Sequence, residues 1–457
     1  MGGRGLKGGR GVIGLRGQGW HPIALGLRNP LFATLKSPTM PPATPAPSRP
    51  ARPSHGLRAA CAAALWACLC GGTALAASPA PSQAGPFQPD NDAEVLQQVP
   101  PASDPAVRRM HQLRGQLDAA PGDMALAHRL ADTYVAFGRQ VGDAHYAGYA
   151  EAVIAPWLAR PAPAAATLLI YANILQYRHQ FDEARVALAR ALKADPRHDP
   201  AWLTLATLDM VQGRHADAAT HCGMLARDGA VALGVACGAA LRSSTGQAAQ
   251  SLKLLALLEA QSAGLPEEFR AWIDGLQAEA SERLGDAAGA ETHYRRALAL
   301  TPEDNFLLVA FADLLLDQHR PQEVLHLLAG HEASDTAFLR IVLAQAALQS
   351  ADLPRYVWAM AARFEALRQR GSEFFGREEV RFALELRHDP QDALALAQAN
   401  WQQQREPWDA RVFLQAALAA GQPQAARPVL DFIALSHLQD PAIASLAARL
   451  RSAGAAS

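Results

Sequence analysis

The chain predicts an all-α fold, an α-solenoid of stacked antiparallel helix pairs. Three observations carry that prediction. A pattern Leu168-x-x-Tyr171-Ala172, then Ala184-x-x-x-Leu188-x-x-Ala191-x-x-x-x-Pro196, returns as Ala278, then Ala290-x-x-x-Tyr294-x-x-Ala297-x-x-x-x-Pro302, 106 residues later. That separation is about three units of 34 residues with a few inserted. Alanine and leucine dominate while aromatic residues make up only 6% of the chain, a composition that suits helices in close contact. No run alternates Val, Ile, Thr and aromatics as a strand does.

Taken in order, the chain opens on a basic segment. Residues 1–89 hold nine Lys/Arg and no acid, leaving 33 bases against 43 acids in the remainder, a formal −10. An acidic body lacks the basic surface that phosphate neutralisation needs, so nucleic acid is not the expected partner. Arg58, the apolar run Ala59 to Leu75 and the small residues Ala74-Leu75-Ala76 read as the three parts of a secretory signal cleaved near Ala76. Residues 1–76 are therefore expected to be a signal peptide with an upstream mis-start, the true start being Met40. The mature chain would be periplasmic or secreted, with no membrane span. The alternatives are a lipoprotein, from Leu65-Trp66-Ala67-Cys68, or an uncleaved N-terminal anchor. Residues 77–104 are rich in Pro, Ser and Gln and read as a disordered spacer.

Asp104-Pro105 combines an N-cap with a first-turn proline and starts a helix through about Ala119. A helix from Gly122-Asp123 to Phe137 follows, ended by Gly138, and the next reaches about Leu158. The clearest pair is 165–178 and 181–194, with Asp182-Glu183 in the first turn of the second helix, where the dipole favours negative charge. Gly213, Gly246 and Gly285 mark the turns of later pairs. Periodic Leu and Ala predict further helices at about 335–350, 353–370, 376–387, 390–403, 407–420, 423–435 and 440–452, making roughly eight pairs. The repeat array proper spans 105–330, and 331–457 reads as degenerate repeats with a C-terminal cap.

These residues resemble the tetratricopeptide-repeat family, whose pattern is W-x2-L-G-x2-Y, then A-x3-F, then P. Trp202-x-x-Leu205-Ala206 fits the first half with Ala for Gly, and Ala184/Leu188/Pro196 and Ala290/Tyr294/Pro302 fit the second. Units 165–198, 199–232, 271–304 and 305–330 carry the resemblance best. It implies a right-handed superhelix whose first helices line a concave groove that holds a protein or peptide. Asn173, Gln176 and Tyr177, then Thr207 and Met210, then Glu279, Glu282, Arg283, Asp313 and Asp317 fall on that groove face. The later group is acidic on balance, so a partner bearing Lys or Arg is expected.

Reactive motifs are missing from the sequence: it has no G-x-x-x-x-G-K-[ST], G-x-S-x-G, H-E-x-x-H or C-x-x-C-H. His319, His326 and His331 read as turn histidines, and His221 and Cys222, being adjacent, point to different helix faces and do not share a metal. Trp401 and Trp408 read as packing at a pair junction. No cofactor and no metal is expected. Cys222 and Cys237 lie on consecutive predicted helices and form either a disulfide or two small apolar contacts. The functional expectation is a non-enzymatic exported scaffold, one familiar use of which is envelope assembly. The alternatives are an obligate structural subunit of an envelope complex, or a solenoid enzyme acting on cell-wall glycan through Glu373, Glu378 or Glu379.

Overall fold

The computed structural model describes residues 104–456 apart from 142, 144, 228 and 370–375. The signal, spacer, Met40 and Glu373 readings lie outside the described residues. After α1 (Pro105–Ala119), seven helix pairs follow: α2/α3 (Met124–Val141, His145–Leu158), α4/α5 (Ala165–Tyr177, Phe181–Ala194), α6/α7 (Asp199–Val211, His215–Arg227), α8/α9 (Val231–Ser244, Ala248–Glu259), α10/α11 (Glu267–Arg283, Ala287–Leu300), α12/α13 (Asn305–Asp317, Pro321–Leu327) and α14/α15 (Asp335–Ala347, Leu353–Gln369). Five further helices close the chain: α16 (Arg377–Arg381), α17 (Pro390–Trp401), α18 (Pro407–Ala419), α19 (Arg427–Ser436) and α20 (Pro441–Ala456). The described residues contain helices and turns without strands. This is an all-α solenoid of helix pairs.

Local signals in the sequence explain most boundaries. Asp104 accepts from the Ala106 and Val107 amides at 2.6 and 3.3 Å, capping α1, whose first residue is proline. Each of the turns α4–α5, α6–α7, α8–α9, α10–α11, α12–α13 and α14–α15 holds one residue in the left-handed region: His179, Gly213, Gly246, Gly285, His319 and Gln349. That conformation ends the first helix and aims the chain back along it.

The small residues do what their spacing implied. Ala172, Ala184, Ala191, Ala290 and Ala297 are fully buried or nearly so, with Leu188 and Tyr294 filling the wider gaps. First helices of successive pairs contact one another from α2 through α10, and α12 contacts α14, so they form a layer on one side of the second helices. Burial separates the two layers. Ten of thirteen residues of α4 are buried, against three of fourteen in α11. A helix buried around its circumference must be covered on both sides, and α4, α6 and α10 share that character.

Two predicted boundaries move. The helix expected to stop at Gly138 runs on to Val141. Gly138 is there for closeness: a Cβ on it would lie 2.7 Å from the Tyr146 Cβ on α3. The helix expected over 376–387 changes pitch at Phe382–Leu386, where Arg387 donates to the Phe382 carbonyl at 3.0 Å in a π-type turn.

Candidate functional site

The last five helices lie against the first layer instead of extending the stack outward. Their contacts fall on the turns and C-terminal ends of the first helices. The Arg405 amide donates to the Val211 carbonyl of α6 at 2.7 Å. Phe432 of α19 packs on His215, with ring centroids 5.6 Å apart, and a Cβ on Gly213 would sit 2.7 Å from its ring. A Cβ on Gly246 would collide with the His437 carbonyl, and one on Gly285 would stand 3.3 Å from Pro441. Glycine at these turns thus serves two needs at once, a positive φ and the close approach of a second backbone.

Ion pairs hold the same interface at α12. Asp313 accepts from Arg340 of α14 at 2.7 and 3.0 Å and from Arg381 of α16 at 2.6 Å, all three side chains being almost inaccessible to solvent. Burial alone would push the Asp313 carboxyl up, but the two guanidinium groups outweigh it and hold it at about 2. One turn on, Asp317 takes two hydrogen bonds of 2.6 Å from Arg411 of α18, and the Trp408 ring lies under both Arg411 and Arg381. The basic groups that α12 was expected to seek in a partner are therefore the chain's own.

A polar network continues inward from there. Arg377 meets Glu406 at 3.0 Å and Glu378 at 3.7 Å, and Glu378 also accepts from Arg340. Asn400 donates to Asp409 at 2.9 Å, and the Gln404 amide lies 3.4 Å from the His179 imidazole in the α4–α5 turn. Burial lowers the His179 pKa to about 4, so the ring is neutral at physiological pH. On α10, Glu279 faces Arg283 at 3.7 Å, while burial pushes Glu282 up to about 8.

The expected groove residues separate into four sets. Asp313 and Asp317 are filled by arginines, and Glu279, Glu282 and Arg283 gather at the end of α10. Thr207 bonds back to the Leu203 carbonyl of its own helix at 3.0 Å, and Met210 packs on the core between α6 and α10. Asn173, Gln176 and Tyr177 come together at the end of α4. Asn173 and Gln176 are each only 2% exposed, yet the Asn173 Oδ1 and both amide atoms of Gln176 have no hydrogen-bond partner. Tyr177 donates to the Gly138 carbonyl at 3.3 Å, and Arg139 of α2 lies 6.0 Å over its ring.

Several contributors escaped the sequence reading: Arg139, Arg340, Arg377, Arg381 and Arg411. A signal existed for Arg340, since it stands one unit after Asp313 on the next first helix. Arg139 was hidden by the misplaced helix end at Gly138. Glu378 is bound by arginines, and Glu379 pairs with Arg368. Cys222 and Cys237 are joined by a disulfide linking α7 to α8, their Cα atoms 5.5 Å apart. Asp209, missed in the sequence, is buried between Arg185 at 2.5 Å and His221 at 2.6 Å, which gives that histidine a carboxylate partner. Among the described residues, no three His, Cys, Asp or Glu side chains converge as a metal would require.

Residues 176–231 match the family model for the tetratricopeptide repeat. No curated protein matches the chain. Among solved structures, the Cut9–Hcn1 hetero-tetramer of the APC/C is similar at 13% identity over 75% of this chain and 86% of that one, with a TM-score of 0.36. The P58(IPK) TPR domain is similar at 15% identity over 77% and 94%, with a TM-score of 0.23. The family match runs from the end of α4 to the start of α8, and helical repeats of that kind are an architecture typical of protein–protein interaction.

Proposed function

We propose that this chain is a non-enzymatic, exported scaffold that binds a protein or peptide partner on the first-helix layer at its α2–α4 end. The observation that carries the reading is the contrast in hydrogen bonding along that layer. At α12 the inward carboxylates are filled by the chain's own arginines, whereas at α4 the inward amides of Asn173 and Gln176 are buried and unpartnered. Buried polar groups without partners are uncommon in folded proteins and point to something that completes them.

The Cys222–Cys237 bridge supports export, since such bonds persist in oxidising compartments. Among the described residues no helix is long and apolar enough to cross a membrane. A part in envelope assembly rests on analogy with other exported repeat proteins. A photo-crosslinking residue placed at Tyr177 should capture a partner in cells, while one at Leu257, 63% exposed on α9, should not. Equal capture at both positions, or none at Tyr177, would contradict the reading. A zymogram on peptidoglycan should show no clearing, consistent with Glu378 and Glu379 being committed to arginines; clearing would revive the glycan-acting alternative.

A further inference from the structure

The last five helices are held to the rest of the chain in two different ways. Next to α14 and α15 the hold is apolar: Phe382 packs on Phe364, with ring centroids 5.2 Å apart, in one cluster with Phe338. Beyond that point the helices bury a hydrophobic core of their own, from Val380 to Leu450, which takes no residue from the first-helix layer. What touches that layer is polar or meets a turn: Gln404 at His179, the Arg405 amide at the Val211 carbonyl, Arg411 at Asp317 and Phe432 at Gly213. A body with its own core, fixed at one end and touching elsewhere through such groups, can lift without opening a shared core.

Over α10 the touching groups carry too little positive charge. Glu279 of α10 feels the charge of Glu406 of α18 across the contact, and Glu282 stands one turn on. Arg283 meets Glu279 at 3.7 Å, while Arg377 of α16 serves Glu406 at 3.0 Å, Glu378 at 3.7 Å and Asp409 at 3.9 Å. Of the other groups facing this cluster, Glu378 also has Arg340 at 3.3 Å and Asp317 has Arg411. Tyr294 of α11 lies beside Glu282, Asn400 of α17 donates to Asp409, and the neutral His179 feels Arg377 and Glu378. Glu279, Glu282, Glu406 and Asp409 therefore share two guanidinium groups, and full ionisation would leave two negative charges unmet. The Glu282 Oε1 is shut away from solvent with no hydrogen-bond partner, a place that suits a protonated carboxyl better than an anion. Burial raises Glu279 and Asp409 in the same direction as Glu282.

We infer that α17–α20 form a proton-held cap, which lies on α10 while protons neutralise this cluster and lifts away, turning about the Phe382 packing, once its carboxyls ionise. The sense follows from linkage. Carboxyls that bind protons more tightly docked than free favour the docked state at low pH. Each proton released on lifting raises the open-to-docked ratio about ten-fold per pH unit until the docked group itself titrates. For Glu282 that limit is about pH 8. The cap does not depend on what binds at the α2–α4 end.

The test is a distance, measured by double electron–electron resonance between nitroxides on Leu257→Cys of α9 and Leu435→Cys of α19. Both positions are exposed, and in the chain from residue 77 on the remaining Cys222 and Cys237 are bridged. One distance is expected at pH 5. A second, longer one should then appear, its ratio to the first rising about ten-fold or more between pH 6 and pH 9, with the helical circular dichroism unchanged. Glu282→Gln with Asp409→Asn, which fixes both groups uncharged, should keep the short distance at pH 9. Glu282→Gln alone, which spares the Asp409 bond to the Glu406 amide, should hold the longer population below the wild-type level. A wild-type distance that ignores pH, or variants that open as the wild type does, would overturn the cap. So would a loss of helical signal at pH 9, since that is unfolding and not lifting.

Discussion

The two ends of the first-helix layer are built from the same kind of helix and finished differently. At α12, Asp313 and Asp317 are closed by arginines from α14, α16 and α18. At α2–α4, Asn173 and Gln176 are as deeply enclosed as Asp313 and, like the half-buried Arg139, meet no such ionic partner. Buried charge is tolerated when paired and costly when not, so the first end reads as structure and the second as an unfinished interaction. Position on the inner face of a repeat helix does not by itself mark a residue for a partner.

The largest effect separating the two ends should come from Asp313→Ala, which removes the shared buried carboxylate and leaves Arg340 and Arg381 in the interior with only Glu378 and Glu385 respectively. Breaking a buried pair in this way costs about 3–5 kcal/mol, readable as a lowered urea midpoint. The same substitution of Asn173 removes an atom with no partner and should cost far less, and equal losses would erase the distinction. Gly246→Val should come next, because it combines a positive φ with a collision against the His437 carbonyl. A loss of about 1–3 kcal/mol is expected, and unchanged stability would mean that α19 and α20 do not rest on that turn. Bulky replacement of Ala184 or Ala290 should cost a similar amount through overpacking.

A pH dependence follows from Glu282, which binds its proton more tightly folded than unfolded because burial raises its pKa to about 8. Its contribution to stability is complete below about pH 4, the unfolded value, and is lost as the pH climbs through about 8. Glu282→Gln should therefore flatten the fall in urea midpoint between pH 5 and pH 8, and an unaltered slope would count against the burial of that carboxyl. Asp313 acts in the opposite sense, contributing above about pH 4 and fading as the pH drops towards 2. The smallest effect belongs to Arg411→Ala. Asp317 is 42% exposed, so that pair should be worth about 0.2–1 kcal/mol and weaken with salt.

The repeat fold was legible in the sequence because alanine spacing and left-handed turns are local signals. Ala184 and Ala290 had to be small whatever lay beyond the next helix, and Gly213, Gly246 and Gly285 marked turns correctly. Their second role was not legible, because the chain that closes on them arrives from about 150 to 220 residues later and carries no periodic mark of its destination. Gly138 shows the same limit in reverse, since glycine that ends a helix and glycine that admits a neighbour look alike in one dimension. Reading it as a stop removed Arg139 from its helix, and with it a cation that no carboxylate among the described residues pairs.

The claim that most depends on the fold is that α18 docks its arginine on α12. Asp317→Cys with Arg411→Cys, in the chain from residue 77 on and treated with a short bismaleimide at low protein concentration, measures it directly, Cys222 and Cys237 being committed to their bridge. A near-quantitative link within one chain is the expected result. Cysteines that stay unlinked, or link only between chains, would contradict the account.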